Sequence, residues 1–151
     1  MRRHEALLPL THDHHHALVQ VRRLRSAAKG SADERGAAAK GFLEFFYSDT
    51  IQHFREEEEV VFPLVVEDES MRTILEGVMV QHLFIHAAVR KLDAECEGGS
   101  PDPTTLLGLA DTLERHVRFE EKVVFPEIQE RVAKEAMDSI ELAPRHRTLA
   151  G

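Results

Sequence analysis

Apolar residues recur at intervals of three and four along almost the whole chain, and strict alternation is hardly visible, so the pattern predicts an all-α protein. Four long helices fit the punctuation. The first is expected to start near Thr11 and to stop before "KGSADERG", where Gly30 ends it and Ser31 with Glu34 reads as a capping box for the second. The second should reach about Phe62, because Pro63 has no N–H to give the helical ladder. Ser70 is the expected cap of a third helix that "ECEGGSP" terminates, and Asp102 followed by Pro103 opens the fourth. A kink near Pro126 and a shorter amphipathic segment, "PEIQERVAKEAMDSIELA", should follow. Short connections between long helices favour antiparallel neighbours. The expectation is one domain over residues 1–151: an up-down-up-down four-helix bundle with a short C-terminal helix, its core about 10–130 and a C-terminal extension about 131–151.

Polar residues interrupt the apolar stripes themselves. Residues four apart in a helix lie about 40° apart around its axis, so they share a face. Stepping from His53 gives Leu43, Phe46, Thr50, His53, Glu57, Val60 or Val61, and Leu64; stepping from His116 gives Leu106, Leu109, Leu113, His116, Glu120 and Val123. The third helix places His82 and His86 among Leu75, Val78, Val89 and Leu92, and the first places His14 among Leu10, Ala17, Val21 and Leu24. Every helix therefore aims at least one histidine at the common interior.

The chain also repeats itself. "IQHFREEEEVVFP" returns as "ERHVRFEEKVVFP": His53 and His116 are 63 positions apart, as are Glu57 and Glu120, Glu58 and Glu121, and Pro63 and Pro126. "DHHHALVQVRRL" aligns more loosely with "QHLFIHAAVRKL", pairing His14 with His82. The pattern is that of a duplicated helical hairpin.

A buried carboxylate without a partner costs several kcal/mol or takes up a proton, and two facing each other are worse. No Lys or Arg occupies the stripes at the level of Glu57 and Glu120. Bound cations are the economical remedy, because neutral imidazoles and carboxylates then become ligands. A single histidine on an apolar face is ordinarily a satisfied core residue. Five on four helices, with two glutamates at matching spacing, are not. Within "EEEE" only Glu57 lies on the stripe, so Glu56 and Glu59 are expected in solvent, while Glu58 and Glu121 point about 100° away from their stripes. Asp13 either accepts a ring N–H from a ligand or caps the first turn. His12, His15 and His16 point elsewhere, and His4 and His146 receive no role.

Composition narrows the classes further. With 42% hydrophobic and 30% charged residues the chain is globular, and a formal charge of −8 argues against a nucleic-acid surface. No apolar run approaches the roughly 20 residues of a membrane span and the first residues lack a secretory pattern, so a cytoplasmic protein that does not engage membranes is expected. The lone Cys96 rules out a multi-cysteine metal motif within the chain. No catalytic triad, phosphate loop or nucleotide motif is evident, and redox-active side chains are scarce: Tyr47 is the one tyrosine, and tryptophan is absent.

The order His14, His53 with Glu57, His82 with His86, His116 with Glu120 resembles the hemerythrin-like, or HHE cation-binding, family, over nearly all of the first 130 residues. The resemblance implies a four-helix bundle around two iron ions bridged by two carboxylates and an oxo or hydroxo group. Glu57 and Glu120 would bridge, His82, His86 and His116 would complete one iron, and His14 and His53 would bind the other. Oxygen-carrier members place the second bridging carboxylate five residues after its histidine, which here is Glu121; Glu120 is favoured because it stays on the apolar face. Counted this way one metal reaches six ligands and the other five, leaving a position open. Nitrogen and carboxylate donors suit iron or manganese, and zinc fits the same cage. The expected function is a non-heme di-iron protein that binds or senses a small diatomic such as oxygen or nitric oxide. The alternatives are a di-iron oxidoreductase acting on peroxide or nitric oxide, and an iron-handling or repair protein. No Glu-x-x-His pair sits on the stripes, which disfavours ferritin-type storage.

Overall fold

The computed structural model describes residues 1–145; His146 lies outside them. A turn at Glu5–Leu7 leads into α1, Leu8–Ala28. This helix begins earlier than Thr11 because Pro9 fits its first turn, where a missing N–H loses no helical acceptor. The capping box is formed in both directions: Ser31 Oγ accepts the Glu34 N–H, and the Glu34 carboxylate accepts the Ser31 N–H.

From that box rises α2, a continuous helical run over residues 32–65. It comprises α segments Ala32–Phe45 and Ile51–Glu56, wider π turns Phe46–Thr50 and Glu57–Val61, and a closing 3-10 turn Phe62–Val65 that holds Pro63. Asp68, not Ser70, then caps the next turn, its carboxylate accepting the Ser70 N–H at 2.9 Å. After that turn, Glu69–Met71, α3 runs Arg72–Glu97. The last long run, α4 over residues 103–131, joins Pro103–Phe119, a π turn Glu120–Val124 and Phe125–Arg131. Asp102 holds the cap position, but its side chain makes no cap bond. Glu95 at the end of α3 acts instead, accepting the Asp102 N–H at 2.9 Å and the Thr105 hydroxyl at 2.7 Å. Extended backbone at Val132 separates α4 from the short α5, Lys134–Asp138.

The helices close a ring in chain order: α1 packs on α2 and α4, and α3 packs on the same two. Thr11 near the start of α1 bonds Glu121 late in α4, while Arg25 near its end pairs with Asp111. Those two helices therefore run antiparallel. No strand occurs among the described residues, and none of their helices is long and apolar enough to cross a membrane.

Two π turns begin at Glu57 and Glu120, at the repeat spacing. A π turn accommodates an extra residue, so the inward face resumes one position later than 3.6-residue stepping expects. Val61 and Val124 are accordingly fully buried, whereas Leu64, expected on the stripe, is 40% exposed and Val123 is half-buried. The core falls into two apolar clusters. Leu24, Phe42, Phe46, Leu92 and Leu106 belong to one; Leu10, Val61, Met71, Val78 and Phe125 belong to the other. Each such large side chain contributes about 1.5–3 kcal/mol on burial, the reserve against which a buried polar group is carried.

Candidate metal centre

That polar group consists of His14 from α1, His53 and Glu57 from α2, His82 from α3, and His116 and Glu120 from α4, none of them more than 5% exposed. Their ligand-type atoms form two quartets, each with its atoms within 4.8 Å of one another: His14, His53, Glu57, Glu120, and Glu57, His82, His116, Glu120. Both glutamates belong to both quartets. Glu57 Oε2 lies 3.2 Å from His53 Nε2 and Glu57 Oε1 lies 3.2 Å from His82 Nε2; Glu120 Oε1 lies 3.1 Å from His14 Nε2 and 2.7 Å from His116 Nε2.

All four rings are oriented from behind. The Nδ1–H of His14 donates to Glu121 (2.7 Å), that of His53 to Asp13 (2.8 Å), that of His82 to Glu58 (2.7 Å) and that of His116 to the Gln81 side-chain oxygen (2.8 Å). With a proton fixed on Nδ1, a neutral ring turns its Nε2 lone pair to the centre. The pattern obeys the duplication. The residue after each inward glutamate, Glu58 or Glu121, holds the histidine of the other hairpin. The residue before His14 or His82, Asp13 or Gln81, holds the histidine of its own hairpin.

Six of the seven residues singled out from spacing thus meet, and His86 is not among the gathered atoms. Its half-buried ring lies 5.6 Å from Phe46 and 5.7 Å from Phe54. Phe54 also stacks on His82 at 3.8 Å. Glu120 occupies the centre, and Glu121 stands outside it, also accepting from Thr11 (2.8 Å) and Arg3 (3.2 Å). Helical angles placed Glu58 and Glu121 off the face correctly, but the role of each depends on a ring from another helix.

Glu56 departs from expectation. It is buried rather than solvated, its carboxylate accepting the Ala143 N–H at 2.7 Å and pairing with Arg145 at 2.7 Å. Arg145 also reaches Asp13 at 3.0 Å, tying the C-terminal extension to the back of His53. Glu59 is solvated as expected, paired with Arg55. His12 and His15 are exposed and His16 is half-buried. His4 caps the first turn, its Nδ1 accepting the Ala6 N–H, while its Nε2 lies 3.3 Å from Asp138 on α5.

Electrostatics follow from burial and charge. Burial alone would lower the imidazoles of His14, His53 and His82, yet the facing carboxylates win and hold all three above their ordinary value, His53 well above it. Burial would raise Glu120, but His116, Glu57 and His14 hold its carboxyl well below the usual range, and His14, Thr11 and Arg3 do the same more mildly for Glu121.

Even so, the centre is not satisfied internally. The Nε2 atoms of His53, His82 and His116, both oxygens of Glu57 and Oε2 of Glu120 are buried without a hydrogen-bond partner. The short ring-to-carboxylate approaches lack hydrogen-bond alignment at these atoms. Lone pairs converging on common points, with every Nδ1–H engaged elsewhere, are what cations require and what a polar core avoids. The donor set fits iron, manganese or zinc.

The sequence profile described as the hemerythrin HHE cation binding domain matches residues 7–128. The chain belongs to that family. The matched span of this hemerythrin-like domain contains all six convergent residues and the four that orient them. Comparison with curated proteins and with solved structures returns no match.

Proposed function

We propose that this HHE domain holds a pair of iron ions, shared by Glu57 and Glu120, and that it binds or senses a small diatomic molecule, oxygen or nitric oxide. The observation that carries the reading is the convergence of buried ligand atoms into two quartets with both carboxylates in common, atoms of every member except His14 lacking a hydrogen-bond partner. Each quartet offers two imidazoles and two shared carboxylates. Two histidines with carboxylate and open positions is a donor set characteristic of non-heme ferrous sites. Since His86 stands apart, neither half has a third imidazole, and open positions belong to both. A ferrous pair so held supplies two electrons and a coordination position for a small ligand.

The chain's own residues set the ligand class. A cavity of about 20 Å³ adjoins the centre, lined by His14, His53 and His116 together with Ala17, Phe54, Leu113 and Val117. One water needs roughly 10–15 Å³, so there is room for a molecule of about one or two heavy atoms. Its largely apolar wall favours a neutral guest over a hydrated anion. Tyr47 is 57% exposed, packed edge-on against Phe46, and is the chain's single tyrosine, which favours binding over radical turnover.

Elemental analysis of protein purified without added metal, followed by absorption spectra of the reduced protein before and after oxygen or nitric oxide is admitted, tests the reading. Iron, with a spectral change reversed under vacuum, is expected. Zinc alone, or spectra indifferent to both gases, would overturn it. Sustained consumption of peroxide would transfer the domain to the oxidoreductase reading.

A further inference from the structure

Helix α3 has two faces. Val78, His82, Ile85, Val89 and Leu92 are buried, and on the opposite side Val80, Leu83 and Phe84 are 48%, 66% and 63% exposed. Successive residues are about 100° apart, so Glu76, Val80, Leu83, Phe84, Ala87 and Lys91 lie within about 50° of one line along the helix. All six are exposed. Scattered apolar residues need no explanation, but three large ones contiguous at mid-helix form a patch of the kind that marks an interface.

The patch is bounded by charges of opposite sign, Glu76 at its N-terminal end and Lys91 at its C-terminal end, and neither forms an ion pair among the described residues. This order is self-complementary under antiparallel pairing. A twofold axis between Leu83 and Phe84 relates each position to the one equally far on the other side of that point. Val80 then faces the partner's Ala87, and Glu76 comes level with the partner's Lys91. The reciprocal contact, Lys91 with the partner's Glu76, follows by symmetry, while Leu83 and Phe84 close around the axis. An isologous interface must be self-complementary in this sense. A parallel pairing would set Glu76 against Glu76 and Lys91 against Lys91.

We propose that a second copy of this chain covers the outer face of α3, giving a twofold dimer centred on Leu83 and Phe84 with Glu76 and Lys91 paired across it. Neither the metal centre nor its ligand enters the argument. The charge pairs are rim contacts that set orientation, and the apolar centre supplies most of the affinity.

Sedimentation of the full, metal-loaded chain tests this, with circular dichroism to verify folding of each variant. The chain is expected to be a dimer, and Leu83→Glu or Phe84→Glu, both at exposed positions, should give monomers with unchanged helicity. Glu76→Lys and Lys91→Glu should each weaken dimerisation by roughly tenfold, from two symmetry-related contacts of about 0.7 kcal/mol. The double variant Glu76→Lys, Lys91→Glu should recover most of that loss. A monomeric wild type, even one that binds a membrane or another protein, overturns the proposal. So does a dimer that survives Leu83→Glu and Phe84→Glu, or a double variant no better than the single ones.

Discussion

Glu57 divides its carboxylate between the two hairpins, one oxygen 3.2 Å from His53 Nε2 and the other 3.2 Å from His82 Nε2. An amide cannot serve both sides, since one of its two heavy atoms is a donor and carries no lone pair for a cation. Glu57→Gln should therefore abolish loading of both ions, measured by metal content after dialysis. The metal-free variant should melt somewhat lower than metal-free wild type, because the buried rings of His53 and His82 lose the carboxylate that favours their charged forms. A loss of loading accompanied by lost helicity in circular dichroism would indicate damage to the fold instead.

Glu58 and Glu121 each hold a ring by its Nδ1–H without facing the centre. Replacing either by Ala should weaken metal affinity by about 10–100-fold, read by chelator competition. Glu59, one position from Glu58 but paired with Arg55 at the surface, is the control, and Glu59→Ala should leave affinity unchanged.

Metal removal should lower the melting temperature. At a metal concentration about 1,000 times the dissociation constant, binding contributes about 4 kcal/mol, which for a chain of this size is on the order of 10 °C. Melts with and without chelator check it, and coincident curves would remove the case for a cation-filled core.

The pH dependence should have opposite signs in the two forms. His14, His53 and His82 have folded-state values raised above the ordinary 6.5, so their contribution to metal-free stability is complete below about 6.5 and is lost as pH rises through those raised values. Glu120 and Glu121 are lowered from 4.5, so theirs is present above that value and is lost as pH falls through the lowered ones. Metal-free protein should be most stable between these limits and should weaken on the alkaline side. Metal binding must displace the ring protons, so affinity rises with pH over that same alkaline side. Chelator-treated and loaded melts recorded from mildly acidic to alkaline pH should diverge.

Arg145 and the buried Glu56 join the C-terminal extension to α2. Arg145→Ala leaves that carboxylate without its cation and should cost about 1–3 kcal/mol, given that the arginine retains some solvent contact. Thermal melting is the measurement, and a variant within experimental error of wild type would show the tie to be dispensable.

Periodicity and repetition carried much of this centre. Intervals of three and four fix which way a helical side chain points relative to its neighbours, so His14, His53, Glu57, His82, His116 and Glu120 could be read as inward-facing, and the offset of 63 identified equivalent positions. His86 obeyed the same interval and still is not among the gathered atoms; its ring lies against Phe46 and Phe54, from another helix. The π turns were equally hidden. Two of the three begin at Glu57 and Glu120 and advance the buried face to Val61 and Val124, and no residue spacing announces a change of helical period.

By itself, the chain determined its helices, the capping box at Ser31 and the supply of imidazole and carboxylate on the inner faces, since these depend on neighbours within a turn or two, and its repeated segments displayed the two-hairpin duplication directly. The tertiary structure alone decided which histidines share a carboxylate and that Asp13, Glu58, Gln81 and Glu121 stand behind the rings. It also buried Glu56 beneath Arg145. Those contacts join residues from 24 to 107 positions apart, and their geometry is set by how helices are rotated and packed against one another.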